Sequence, residues 1–275
     1  MATAAINTDM SGKYCLITGA GTGLGREIGR NLARLGANVI LTSYDFGLAE
    51  DARMSIAGQH PAAHLSAMTL DLSKRISIHD FIDVIHERVP KIDVWVNVVN
   101  RSSREKIESE LGFEITWTMN VLGPYVLLRR LQDLLKAGAP SRIVNVVSPF
   151  AGGLNFDDPD FDTHAYNGMK AYRQSMQAAR LFTYAAGSQL AIHGITANAC
   201  VPGVVRGDPG AGLISGLFAK SAAAAADTPT WLAASPEVQG VTGKLFMDRA
   251  QIKCKFRDPA ERQQLWELLE RQANR

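Results

Sequence analysis

The run Tyr14-Cys15-Leu16-Ile17, followed by Thr18-Gly19-Ala20-Gly21-Thr22-Gly23-Leu24-Gly25, constrains this chain more than any other stretch. It reads as a strand, a tight turn and the start of a helix. Glycines let the backbone turn sharply and approach a phosphate closely, and the amide groups and positive dipole end of the following helix favour an anion. An ordinary glycine-rich turn is the bland alternative. The strand before it and helix after it supply the context that a nucleotide-binding turn requires.

The rest of the chain repeats the strand and helix alternation. Glu27 to Leu35 carries apolar residues at helical spacing, Gly36 ends it, and Val39-Ile40-Leu41 forms the next strand. Helical stretches are expected from Phe46 to Ile56, Ile76 to Val89, Leu111 to Ala137, Ala171 to Leu190 and Pro259 to Gln272. Strands are expected at Leu65 to Leu70, Ile92 to Val96, Arg142 to Val147, Ile195 to Cys200 and Gly243 to Met247. Such alternation predicts an α/β fold with a parallel sheet covered on both faces, in a single domain spanning residues 1–275. Pro202 to Asp227 breaks the rhythm with five glycines, an apolar Leu213 to Phe218 and an alanine run. Its position beyond a strand end predicts an apolar lid at about 204–227, with a packing helix and loose flanks as the alternative.

Composition narrows the partners. With 29 basic and 27 acidic residues and a formal net charge of +2, no global field draws the chain to nucleic acid or to an anionic membrane, and a small-molecule partner is expected. Cys15, Cys200 and Cys254 are odd in number and widely spaced, which fits neither a disulfide framework nor a zinc motif, so no metal is expected. His60 and His64 have helical ligand spacing, but Pro61 and the lack of a third ligand favour a surface loop. No secretory leader or run of about 18 apolar residues is visible, and a cytoplasmic protein is expected.

The glycine turn, Asp71-Leu72 after the third strand, Asn97 after the fourth, Asn120, Ser148, a tyrosine-bearing helix and Pro202-Gly203 together resemble the short-chain dehydrogenase/reductases nearly end to end. Gly194-Ile195-Thr196-Ala197-Asn198, Pro202 to Arg206, and Leu232 to Val238 with Gly240 to Lys244 resemble the retinol-dehydrogenase-like branch, which handles lipophilic carbonyls and alcohols. The resemblance implies a doubly wound Rossmann-type parallel sheet of about seven strands, hydride transfer at the nicotinamide C4, and homodimers or homotetramers formed through the long helices. It implies cofactor contacts at Gly19, Thr22, Gly23, Leu24, Gly25, Ser43, Tyr44, Asp71, Leu72, Asn97, Asn100, Pro202, Gly203 and Val205. It also implies that Asn120 holds a water in the proton path and that Ser148 orients the substrate carbonyl. Asp71 has a competing reading as a helix N-cap.

Members of this family carry tyrosine and lysine four residues apart on one helix face, the lysine lowering the tyrosine pKa and holding the ribose. Tyr166 and Lys170 have that spacing, but the family places its tyrosine about thirty residues before Pro-Gly, which selects Tyr172. The lysine position is then Met176, which supplies no charge. A neutral tyrosine can still donate a proton, so carbonyl reduction is favoured over alcohol oxidation.

Other departures touch the cofactor. Asn97-Val98-Val99-Asn100 replaces Asn-Asn-Ala-Gly, and Gly207 replaces the threonine after Pro-Gly. Ser43 stands where users of NAD place an acid, which favours NADP, with NAD possible, although neither Tyr44 nor Thr22 supplies a cation. The loop Asn155 to His164 concentrates Asp157, Asp158, Asp160, Asp162 and His164, ordinarily a solvated run. Three readings stay open: an NADP-dependent carbonyl reductase using Tyr172, Ser148 and Asn120; a non-redox enzyme performing elimination, isomerisation or cyclisation; and a silent nucleotide-binding subunit.

Overall fold

The computed structural model describes residues 6–205 and 219–275. Eight strands form one sheet in the order β3-β2-β1-β4-β5-β6-β7-β8. They are β1 (Tyr14–Thr18), β2 (Asn38–Ser43), β3 (Leu65–Thr69), β4 (Val94–Asn97), β5 (Ser141–Val146), β6 (Ile195–Cys200), β7 (Leu245–Met247) and β8 (Ala250–Ile252). The first seven run parallel and β8 returns antiparallel beside β7. The expected count of about seven thus rises to eight, because Asp248 and Arg249 adopt positive φ and close a hairpin. A three-residue edge strand such as Ala250-Gln251-Ile252 is too short to show alternation.

Central strands β4, β5 and β6 are buried almost throughout, as expected of strands covered on both faces. Helices α1 (Gly23–Arg34), α2 (Phe46–Ala57) and α8 (Asp227–Ala234) enclose one apolar layer with Ile28, Leu32, Ile56 and Trp231. Helices α3 (Arg75–Arg88), α5 (Gly123–Ala137), α6 (Gly168–Gln189) and α9 (Pro259–Ala273) enclose the other with Phe81, Leu131, Phe182 and Leu265. Side-chain caps set several helix starts. Thr22 accepts from the Gly25 N–H, Asp45 from Leu48, Asn167 from Lys170, and Asp258 from Ala260.

The expected helix from Leu111 to Ala137 begins later. Glu114 caps a short α4 (Ile115–Trp117), a π-helical turn spans Thr118–Leu122, and α5 then continues to Ala137. A π-turn inserts a residue without interrupting the apolar pattern, so periodicity does not reveal it. In the expected lid, residues 206–218 lie outside the described ones. The alanine run, however, forms α7 (Ala222–Ala225), whose Ala225 and its successor Ala226 are buried beside α1. Ala223 and Ala224 are exposed.

Candidate active site

The strand order reverses between β1 and β4, where a doubly wound sheet opens a crevice at the strand ends. The glycine turn sits there. Gly19 has φ +81° and lies against the Val98 main chain, while a Cβ on Gly25 would meet the Gly19 carbonyl oxygen at 2.4 Å. Neither position accepts a side chain, so the turn holds its backbone where a pyrophosphate can approach the start of α1. Thr22 and Gly23 are exposed, and Leu24 and Gly25 are buried beneath them. Ala222 of α7 comes within 3.5 Å of a Cβ placed on Gly23. These features fit a dinucleotide.

The other expected cofactor residues divide into exposed and committed groups. Ser43 is buried, its Oγ 2.8 Å from a Cβ placed on Gly21, and Tyr44 is exposed beside it. Asp45, which the sequence argument passed over, brings a carboxylate close to this end of β2, engaged as the cap of α2. Asp71 Oδ1 accepts from the Ser73 N–H and hydroxyl, while Lys74 occupies the N-cap of α3. Asp71 therefore closes a turn and does not cap the helix. Leu72 is core, and a Cβ on Gly123 would meet its carbonyl oxygen at 2.5 Å. Asn97 belongs to a buried ladder through the sheet: Thr18 Oγ1 donates to its Oδ1 at 2.7 Å, its Nδ2 donates to Asn145 at 3.2 Å, and Asn145 donates to Thr183 at 3.0 Å.

Asn100 is exposed and its backbone is not left-handed. Gly203 has φ +89° and lies against the stem of Lys220, whose N–H bonds to the Val204 carbonyl and whose position pairs with Val205. Lys220, next to Pro202-Gly203, is a cation that sequence spacing did not bring to this end of the sheet. Gly207 lies outside the described residues. His60 and His64 flank a turn with no third ligand, and among the described residues no group of His, Cys, Asp or Glu is arranged to hold a metal.

The catalytic candidates converge through α6. Asn120, in the π-helical turn, uses its whole amide: Oδ1 accepts from the Arg101 N–H at 2.7 Å, and Nδ2 donates to the Arg101 carbonyl at 2.8 Å and to Ser175 Oγ at 3.0 Å. Ser175 in turn donates to the Tyr172 carbonyl at 2.8 Å. The Asn120 side chain is thus a clamp between the Arg101 main chain and α6. One turn on, the Met176 sulfur accepts the Ser148 N–H at 3.4 Å, and Arg180 donates to the Ser148 carbonyl at 2.6 Å. Ser148 Oγ accepts from the Phe150 N–H at 3.2 Å, so its own hydroxyl hydrogen remains free to donate to a carbonyl. Tyr172 is half-buried at the head of this row.

Tyr166 is occupied elsewhere. Its single hydroxyl hydrogen is shared between two acceptors, Glu114 at 3.0 Å and the Ser103 carbonyl at 3.2 Å, and its ring meets Phe161 edge on at 5.3 Å. Burial and the Glu114 charge push its pKa up to about 12, the opposite of what a proton-abstracting tyrosine needs. Lys170 is exposed on the first turn of α6. The acidic loop is less solvated than expected. Asp158 and Asp160 are buried, Asp158 accepting from His164 at 2.6 Å and from Thr163, and Asp160 from the Glu114 N–H at 3.0 Å.

The doubly wound sheet, the glycine turn at its switch point and the residues gathered at the end of β5 define a nucleotide-dependent oxidoreductase architecture. The chain matches the short chain dehydrogenase family over residues 13–213 and belongs to it. It is 37% identical to human retinol dehydrogenase 13 over 251 residues, 86% of this chain and 76% of that protein. To human retinol dehydrogenase 14 it is 34% identical, over 95% of this chain and 86% of that one. Among solved structures it resembles a Mycobacterium paratuberculosis protein described as putative and uncharacterized, with TM-score 0.82 and 25% identity over 97% and 95% of the two chains. The fold of Pseudomonas aeruginosa RhlG, solved with NADP, is also similar, with TM-score 0.70 and 19% identity over 89% of this chain and 98% of that one. Among the described residues no helix is long and apolar enough to cross a membrane.

Proposed function

We propose that this protein reduces a carbonyl group on an apolar small molecule at the expense of NADPH. The observation that carries this reading is the tie between α6 and the end of β5, in which Met176 holds the Ser148 main chain while the Ser148 hydroxyl hydrogen is left for substrate, with Tyr172 one turn earlier on the same helix. When bound, the nicotinamide supplies the hydride. The chain's own work is to orient and protonate. Ser148 donates to the substrate carbonyl oxygen, and Tyr172 gives a proton to the oxygen as negative charge develops there. Both acts need neutral hydroxyls, so they survive without a lysine. Alcohol oxidation needs a phenolate, and tyrosine at its ordinary pKa of about 10 provides only about one part in a thousand at pH 7.

Similarity to retinol dehydrogenases supports an apolar substrate, and Ser43 in place of an acid supports NADP. The capping role of Asp45 reduces its opposition to a 2′-phosphate, since its Oδ1 already accepts the Leu48 N–H. Fluorescence titration with NADPH and NADH at two salt concentrations, followed by transfer of deuterium from C4-labelled NADPH to a long-chain aldehyde, tests the proposal. Tight NADPH binding with label in the alcohol supports it. Binding without label favours the non-redox or silent readings, and no binding of either dinucleotide refutes all redox use.

A further inference from the structure

We infer that the C-terminal segment from Lys253 to Ala273 takes the place of a partner subunit, covering the outer face of α6 and bracing both flanks of the candidate site from within one chain. In this fold a long helix beside the sheet ordinarily keeps one stripe toward solvent or a second copy. Here residues 174–187 of α6 are buried without interruption. Leu181, on the side of α6 away from Tyr172, is wholly buried.

The cover comes from α9. Its Leu265 and Leu269 are fully buried, and Trp266 lies edge on to Tyr125 of α5 at 5.1 Å and stacked with Phe182 of α6 at 6.4 Å. Around this apolar patch, Arg129 of α5 pairs with Glu270 at 3.1 Å, and Arg75 of α3 donates to the Ala273 carbonyl at 3.3 Å. The surfaces that the long helices would offer a second copy are therefore spent on this chain's own terminus.

The same segment reaches the site twice. Gln272 is buried and accepts from Trp117 Nε1 at 2.9 Å, immediately before the π-turn that carries Asn120. At its other end, the Phe256 ring lies 5.7 Å from the guanidinium of Arg180, which donates to the Ser148 carbonyl. Buried aromatic rings and hydrogen-bonded polar groups hold an interface as they hold a core. The site flanks are thus completed internally. Association through another face, such as the β8 edge, is not opposed by this arrangement.

Hydrogen exchange tests this without any assay of activity, so its failure is distinct from failure of the proposed reaction. Protection of the amides of residues 174–187 should be the same at low and high micromolar protein concentration, because the cover belongs to the same chain. Protection that rises with concentration would overturn the inference, since the cover would then come from a second copy. In the Leu265→Asp, Leu269→Asp double variant, exchange in 174–187 should accelerate by about tenfold or more while β1 and β2 stay protected. Unchanged protection of 174–187 in that variant would also refute it. If the variant does not fold, the wild-type concentration series decides alone.

Discussion

The sulfur of Met176 accepts the main-chain N–H of Ser148 at 3.4 Å, tying the helix that carries Tyr172 to the end of β5. A lysine at this position would have no acceptor to offer that N–H. Met176→Lys should therefore act in two opposed ways: it should raise reductase turnover by bringing a cation to Tyr172, and it should lower stability by about 1–3 kcal/mol through the orphaned N–H and the buried charge. Single-turnover rates and denaturant melts on the same preparation check both halves. A loss of turnover in folded protein would show that methionine serves a different mechanism.

Tyr172→Phe should lower any reductase turnover by about 10²-fold or more, the usual worth of a positioned general acid. Tyr166→Phe should leave turnover within a fewfold but lower stability by about 1–2 kcal/mol, because it removes the bonds to Glu114 and Ser103. The reverse ranking would reassign the catalytic tyrosine.

Gly25→Ala should abolish dinucleotide binding even where the fold survives. Its Cβ would lie 2.4 Å from the Gly19 carbonyl, and both are backbone positions that cannot move aside without opening the turn. Isothermal titration with NADPH, alongside a thermal melt, separates a lost seat from a lost fold.

The acidic loop should give two pH responses of opposite sign. Burial, reinforced by the charges of Asp162 and Glu114, raises Asp160 to about 6, so ionising it costs the folded state more than the unfolded one. Stability should fall as pH rises from about 4 to about 6, by up to about 3 kcal/mol, and Asp160→Asn, which keeps an acceptor for the Glu114 N–H, should remove that fall. Burial also acts to raise Asp158, but bonds from His164, Thr163 and the Asp162 and Thr163 N–H groups outweigh it and hold it at about 2. Its contribution is present above pH 4 and lost between about 4 and 2, and His164→Ala should shrink that acid limb. Urea midpoints measured across pH 2 to 8 resolve both.

Sequence by itself determined the doubly wound sheet, the glycine turn that begins it and the family to which the chain belongs. Each rests on local chemistry: runs of apolar residues at strand or helix period, and glycines where a side chain would clash. The choice of Tyr172 over Tyr166 also came from spacing along the chain, whereas the contacts of Tyr166 with Glu114 and Ser103 are visible only in the fold. What only the tertiary structure decided are relations between segments distant in sequence. The π-turn hid inside an unbroken apolar pattern, the Asn120 amide proved committed to Arg101 and Ser175, and a three-residue strand extended the sheet. That Ala222 to Ala225 form a helix beside α1 was likewise not encoded locally, because alanine fits a close helix contact as readily as a loose one. Gln272 meets Trp117 across 155 positions of the chain, and no local periodicity encodes a contact whose two halves are brought together only when the sheet and its helices close around a common core.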